Sequence, residues 1–422
     1  MSKAVIFIPR SIFLDSDRVM PALGPLYLKS FLESKGHKII VEDSPNLNDL
    51  TGLEEYDVLS ISCTTPQYYE INGGKELAVR LRKQYPNKKL IIGGAHATYY
   101  TKELIEDNLF DHIVVKDGEK AFLDILNGKE LPKVIIYPKL SEEEMNSYPI
   151  PWRDKDYLSK YKYQIEGIDA TTAITGKNCP MGCKYCESRR SGISLFSPER
   201  VNAEIESIKK TGFNSIMFFD DIFALSEERV KELCNVIRPH NITFRCFGHA
   251  KLLSRNKNVI KMLADAGCKE IGFGAESGDQ GILNIVDKGN KVDDIFMTTQ
   301  NILDAGLNVS AFLMIGLPGE SKESIRNTER YIETFANNPR FKFDYSIFFP
   351  YKSTYIREHP EEFDLKIHLD GSLGYYKGRE GSSECCVSTS HLSREEIIAE
   401  RDRILRTYKK NFKGVESKNR VK

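Results

Sequence analysis

Gly176-Lys177-Asn178-Cys179-Pro180-Met181-Gly182-Cys183-Lys184-Tyr185-Cys186 brings three cysteines into one loop as C-x3-C-x2-C. Gly176, Pro180 and Gly182 let such a backbone fold tightly, so that three sulfurs converge on one centre. Thiolates are the protein ligands of iron–sulfur clusters. A four-iron cubane needs four ligands, so three thiolates leave one iron open for chemistry. The competing reading is structural zinc, which wants four protein ligands in a closed site. No second C-x2-C pair exists to complete it, and the adjacent Cys385-Cys386 are poorly placed for one tetrahedron. Lys177 and Lys184 are the nearby cations expected to favour thiolate over thiol.

Around this loop the chain alternates strand-like and helical runs. Strand-like runs fall at Thr171–Ile174, Ser215–Phe219, Thr243–Phe247, Glu270–Phe273, Val309–Ile315 and Asp344–Phe349. Ser197-Pro198-Glu199 reads as a helix start, with a capping hydroxyl, proline in the first turn and then an acid. Gly212, Gly267 and Gly306 read as helix ends. Six β/α units in a row predict a partial (β/α)6 TIM-type barrel, with its chemistry at the carboxyl ends of the strands.

The N-terminal part shows the same alternation. Ala4–Ile8, Lys38–Glu42, Val58–Ser62, Lys89–Ile92 and His112–Val115 read as strands. Leu23–Ser34, Glu76–Gln84 and Lys120–Leu126 read as helices. This predicts an α/β, Rossmann-like parallel-sheet domain over residues 1–140, with ligands at the strand ends. A polar stretch with Pro149, Pro151 and Trp152 reads as a linker over 141–165, followed by the barrel over 166–355. Residues 356–422 are expected to form a small α-rich subdomain over the barrel mouth, with one helix at His391–Lys410.

Hydrophobic content of 41% and aromatic content of 10% suit ordinary globular cores. The 422 residues allow two or three domains, and Lys+Arg and Asp+Glu both number 60. A neutral balance argues against bulk nucleic-acid binding. Lys409, Lys410, Lys413, Lys418, Arg420 and Lys422 read as a solvated terminus. The opening MSKAVIFIPR reads as a buried strand without a cleavage-site pattern, and no apolar run approaches the ~18 residues of a membrane span. Nine cysteines, an odd number, fit reduced thiols with a metal role. The expected compartment is the cytoplasm.

The cysteine loop resembles the signature of the radical S-adenosylmethionine (SAM) superfamily, including the aromatic Tyr185 before the last cysteine. Phe218-Phe219-Asp220-Asp221 resembles the family segment after the second strand. Ile271-Gly272-Phe273-Gly274-Ala275-Glu276-Ser277-Gly278 resembles the fourth, and Phe312 to Glu320 the fifth. The resemblance implies a [4Fe-4S] cluster on Cys179, Cys183 and Cys186, with the open iron chelated by SAM. Reductive cleavage of the sulfonium then gives a 5′-deoxyadenosyl radical. It implies SAM contacts from the backbone at Tyr185, from Asp220 and Asp221 to the ammonium, and from Glu276 and Ser277 to ribose or carboxylate. Gly316, Pro318 and Gly319 would let backbone approach adenine. Each has a structural alternative: Asp220 as a loop cap, Glu276 as an ion-pair partner, the glycines as turns. His249 and Arg245, near the third strand's end, read equally as contacts or as structural groups. Cys234, Cys268 and Cys246 read as packing thiols.

The N-terminal domain resembles the cobalamin-binding-type domain of one radical SAM branch. The residues are Leu23-Gly24-Pro25-Leu26-Tyr27-Leu28, Gly36-His37, Asp43, Ser60 to Thr65, Gly93-Gly94-Ala95-His96-Ala97-Thr98 and Gly118-Glu119. The resemblance implies cobalamin contacts at Ser62, Thr64, Gly93, Gly94, His96, Gly118 and Glu119. A D-x-H-x-x-G element, which supplies histidine to cobalt in other cobalamin proteins, is absent. Lys116-Asp117-Gly118-Glu119 and Pro350-Tyr351-Lys352-Ser353-Thr354 depart from the family's G-E-G-E and P-x-P-G-T. Together these readings point first to a cobalamin-dependent radical SAM methyltransferase. Its substrate would be a small molecule or natural product, and its electron donor a flavodoxin or ferredoxin. The alternatives are cyclisation or rearrangement without methyl transfer, and a non-catalytic iron–sulfur redox sensor. Tyr375, Tyr376, Cys385 and Cys386 are the candidate substrate contacts at the C-terminal end.

Overall fold

A computed structural model describes residues 1–10, 19–368 and 384–409. Tyr375, Tyr376 and the basic residues beyond Lys409 lie outside the described residues. The chain divides into two compact units: Met1–Gln164 with Asp169–Thr172 and Glu199–Phe213, and the remainder.

The first unit is built on a parallel sheet. Its elements run β1 (Lys3–Ile8), α1 (Leu23–Ser34), β2 (Lys38–Asp43), β3 (Val58–Ser62), α2 (Thr65–Tyr69), α3 (Gly74–Gln84), β4 (Lys89–Gly93), α4 (Ala95–Tyr99), α5 (Thr101–Asp107), β5 (His112–Val115), α6 (Glu119–Leu126) and β6 (Val134–Ile136). The strand order is β2-β1-β3-β4-β5-β6, with every pairing parallel. Successive side chains of β1 leave opposite faces, as the strand period dictates. Val5 and Phe7 join a core with Leu59, Ile61, Leu77 and Leu81, while Ala4 and Ile6 join another with Phe31, Leu32 and Phe122. Both faces are therefore covered, which explains the unbroken apolar runs of the strands.

The expected linker is not a free tether. It carries α7 (Glu142–Ser147) and α8 (Lys155–Leu158). Tyr157, Leu158 and Tyr161 pack with Leu26, and the Trp152 N–H donates to the Leu26 carbonyl at 3.1 Å. A proline-bearing polar sequence looked like a tether because its buried groups are aromatic and widely spaced.

The second sheet curls as a half-barrel. Its elements are β7 (Gln164–Ile165), β8 (Ile168–Ala173), β9 (Gly176–Lys177), β10 (Ser194–Leu195), α9 (Pro198–Lys210), β11 (Ser215–Phe218), α10 (Glu227–Ile237), β12 (Thr243–Gly248), α11 (Ala250–Arg255), α12 (Lys257–Asp265), β13 (Cys268–Glu276), α13 (Gln280–Ile285), α14 (Val292–Asp304), β14 (Asn308–Ile315), α15 (Lys322–Phe335) and β15 (Phe341–Ile347). The order β15-β14-β13-β12-β11-β8-β7 runs through six successive β/α strands, and β11 to β15 pair in parallel. Gly212, Gly267 and Gly306 end their helices with positive φ of 94°, 105° and 77°.

The C-terminal segment adds α16 (Tyr355–Glu358), an antiparallel pair β16 (Lys366–Ile367) and β17 (Val387–Ser388), and α17 (Arg394–Tyr408). Ser393 and Glu396 form the capping box that opens α17. The segment was expected over the barrel mouth. Within it α17 packs on α15 and β15, with Arg403 clasping Glu329 at 2.7 Å and 2.7 Å, while α16 meets the cysteine loop, where the Ile356 N–H donates to the Lys184 carbonyl at 3.2 Å.

Candidate active site in the half-barrel and a cofactor rim on the first sheet

The cysteine loop leaves β9 and returns through β10, which pair antiparallel as Lys177↔Ser194 and Gly176↔Leu195. Asn178 turns the chain with φ of 71°. The Ser191 N–H donates to the Cys179 carbonyl, the Ser191 hydroxyl accepts from the Cys179 N–H, and the Arg190 N–H donates to Met181. Lys184 N–H reaches the Val286 carbonyl at 2.9 Å. The loop is thus pinned at both ends and in the middle. All three cysteines are free thiols, with Cys183 buried and the other two half-buried. Burial pushes the Cys186 thiol up to about 11 and raises Cys179. A metal centre must displace those protons.

The three cysteines border one cavity of about 330 Å³, together with Tyr185, Asp220, Asp221, His249, Glu276, Lys288 and the rings of Phe219, Phe247, Phe273 and Phe312. That volume lies in the range of ligand pockets. Asp220 Oδ1 accepts from both the N–H and the hydroxyl of Thr175 at 2.8 Å. Its Oδ2 is buried with no partner among the described residues, and burial pushes the carboxyl up to about 7. An unpaired buried carboxylate oxygen beside the cysteines fits a cationic ligand group. Asp221 borders the same cavity, where the surrounding protein strips water from its carboxyl and raises its pKa against a hydrogen bond from Ser188.

Glu276 enters the cavity through a backbone irregularity. The register of β13 against β14 shifts between Gly274 and Glu276, and Glu276 takes φ of 61°. Such a bulge re-aims one side chain. Glu276 Oε1 accepts from Lys288 Nζ at 2.8 Å and from the Tyr185 hydroxyl at 2.8 Å, and Lys288 also reaches the Tyr185 hydroxyl at 3.1 Å. Burial works against the Lys288 charge, but Glu276, Cys183 and Cys186 outweigh it and hold the ammonium's pKa above its usual value.

The cation beside the thiols is therefore Lys288. Lys184 Nζ instead lies over the Tyr355 and Phe363 rings at 5.6 Å and 5.3 Å. Lys288 escaped the sequence reading because it sits far downstream of the loop, and only the fold brings it there. Glu320 was also missed as a site group. It is fully buried, and its Oε2 accepts from the Gly316 N–H to close the turn after β14. Gly316 and Pro318 do not border the cavity; a Cβ on Gly316 would lie 3.0 Å from Val387. Ser277 is likewise buried away from it, 3.2 Å from the Thr328 hydroxyl.

The loops after β3, β4 and β5 lie at the carboxyl edge of the first sheet. Ser62 and Gly93 are register partners. Gly94 has φ of 90°, and a Cβ there would stand 2.9 Å from the Cys63 carbonyl oxygen. Thr64 is exposed, its N–H and hydroxyl donating to Gln67 at 2.9 Å and 3.0 Å. Gly118 caps α6, and Glu119 is buried in its first turn. Gly94 thus answers to close packing against the neighbouring loop, and the loops it joins lie where parallel sheets bind their ligands. His96, read as a cobalamin contact or as a loop hydrogen bond, is buried off the rim, with Nδ1 3.3 Å from the Thr65 hydroxyl. Its ring is fully buried, stacked on Tyr68 at 4.0 Å and on Tyr100 at 5.1 Å. Burial lowers its pKa to about 3. These loops thus offer no imidazole to a corrin's metal.

Among the described residues, no helix is long and apolar enough to cross a membrane. The family model described as the radical SAM superfamily matches residues 173–332, and that described as a B12 binding domain matches residues 10–126. An uncharacterized methyltransferase of Pyrococcus horikoshii is 25% identical over 388 residues, covering 83% of this chain and 80% of the relative. The anaerobic magnesium-protoporphyrin IX monomethyl ester cyclase of Cereibacter sphaeroides is 20% identical, covering 65% of this chain and 48% of the relative. The fold is similar to that of the radical S-adenosylmethionine methyltransferase TsrM of Kitasatospora setae, solved with cobalamin and a [4Fe-4S] cluster. The TM-score is 0.70 at 14% identity, covering 96% of this chain and 89% of that one.

Proposed function

Because this chain belongs to the radical SAM superfamily, in the branch that carries an N-terminal B12-binding domain, we propose that it transfers a methyl group from SAM to an unactivated carbon of a small molecule. The observation that carries this reading is the cavity shared by Cys179, Cys183 and Cys186 with an unpaired carboxylate oxygen of Asp220. When bound, the cofactors supply an electron, a carbon radical and a methyl carrier.

The chain's own residues bind and orient. Cys179, Cys183 and Cys186 would hold the cluster, and the pinned loop keeps their sulfurs in place. Asp220, with Asp221 on the same cavity, would receive the SAM ammonium. The Glu276–Lys288–Tyr185 group offers one acceptor and one cation to the same cavity, suited to ribose hydroxyls and a carboxylate. The rings of Phe219, Phe247 and Phe312 line the cavity and exclude water from it. On the first sheet, Ser62, Thr64, Gly93, Gly94, Gly118 and Glu119 form the rim that would carry cobalamin. A flavodoxin or ferredoxin would supply the electron.

Anaerobic protein with SAM and a chemical reductant should yield 5′-deoxyadenosine and S-adenosylhomocysteine. Cys183→Ala should abolish both; cleavage retained in that variant removes the cluster assignment. Protein from cobalamin-fed cells should show corrinoid bands. The second reading, ring closure without methyl transfer, draws on the cyclase relative. It gives 5′-deoxyadenosine without S-adenosylhomocysteine.

A further inference from the structure

His249 follows β12 and borders the same cavity. Burial lowers the ring's pKa to about 4, so the imidazole is neutral at ordinary pH. The nitrogen left buried and without a partner among the described residues is Nε2. With the proton of the neutral ring on Nδ1, Nε2 keeps a bare lone pair. A buried acceptor in this state waits for a donor.

Its neighbours on the cavity wall are aromatic. Phe247 lies two residues earlier, edge-on to Phe219 at 5.9 Å and to Phe312 at 5.8 Å. Phe219 is 52% exposed, a large apolar ring left uncovered at a catalytic cavity. Gly272 makes room for the arrangement, since a Cβ there would stand 2.8 Å from the Phe247 ring. Neither the rings nor Nε2 is needed to hold a cluster or the charged end of SAM. Edge-to-face rings leave π faces that favour another ring.

We propose that this wall is the substrate subsite, and that it takes a flat, apolar ring carrying an N–H or O–H donor directed at Nε2 of His249. The proposal rests on the SAM reading of the cavity and names the substrate class for it.

The test uses the cluster-loaded protein saturated with SAM and two probes, indole and 1-methylindole, which differ in one donor. Ligand-observed NMR titration gives both affinities. Indole should bind roughly 2–10-fold tighter, the range of one net hydrogen bond. His249→Phe should bring the two affinities together, and Phe247→Ala should weaken both. Equal affinities in the unaltered protein, a preference that survives His249→Phe, or indole binding that appears only when SAM is left out would each overturn the proposal. The last outcome would give the wall to SAM. Cleavage of SAM by the unaltered protein is scored separately, so failure of the enzymatic reading shows as lost cleavage whatever the probes do.

Discussion

Gly274 is one of two glycines that border the cavity and is among the most constrained. A Cβ there would stand 2.0 Å from Glu276 Oε1 and 2.6 Å from Lys288 Nζ. The glycine reads in the sequence as one member of a weak G-x-G pattern, and its reason is visible only once the ion pair is placed. The pair itself is nearly dry, with side-chain exposures of 11% for Lys288 and 8% for Glu276. Removing one member of such a pair leaves an uncompensated buried charge, at a cost of about 3–5 kcal/mol. Lys288→Met should therefore lower stability by about that much in denaturant titrations of the metal-free protein. Adding Glu276→Gln to it should recover much of the loss, because the orphaned charge goes with it. A double variant no better than Lys288→Met would show that packing, not charge, dominates there.

At the scale of elements, the strands were legible and the irregularities were not. β3 and β5 run as read because β-branched, buried residues fill them, and α1 ends where Gly36 takes φ of 86°. β13 runs on to Glu276, past the expected Phe273, because its glycines and bulge disguise the pattern. α2, α4 and α5 are short and escaped notice. The turn after β14 holds a further hidden element, the buried carboxyl of Glu320. Burial pushes it up to about 8, against hydrogen bonds from Gly316 and Leu317 that pull it down. The folded value exceeds the ordinary carboxylate value near 4.5. Between those values the unfolded chain has already lost the proton that the folded chain keeps. Stability from this group is thus full below the unfolded value and declines as pH rises, by up to about 1.4 kcal/mol per unit, until about pH 8. Glu320→Gln keeps the acceptor for Gly316 and cannot ionise. Its melting temperature should exceed that of the unaltered protein at about pH 9 and approach it near pH 4.5, the gap widening between. A constant gap across that window would mean that Glu320 is ionised in the fold.

On the scale of the whole molecule, each set of residues proposed to hold a cofactor belongs to one unit alone. The cysteines and Asp220 lie in the second unit, and the Gly93-Gly94 loop lies in the first. The three cysteines suggested a cluster site directly, since a contiguous loop keeps its would-be ligands together in sequence. The rim and the substrate wall did not, because strand ends far apart in the chain build them. His96 is the instructive miss: adjacent to the diglycine loop in sequence, it faces the tyrosine core in space. This separation predicts that cofactor losses are independent. In Gly94→Ala the new Cβ meets the Cys63 backbone at 2.9 Å, at a φ of 90°. The strain is about 2–5 kcal/mol in sum. That falls at or below the roughly 5–15 kcal/mol of a typical domain, so the sheet stays folded while its rim shifts. Gly94→Ala should lose most of its corrinoid, read by visible absorption, and keep its iron and sulfide. Replacing Cys179, Cys183 and Cys186 together by alanine should do the reverse. Loss of iron in Gly94→Ala, with the protein still folded by circular dichroism, would show that the rim supports the cysteine loop.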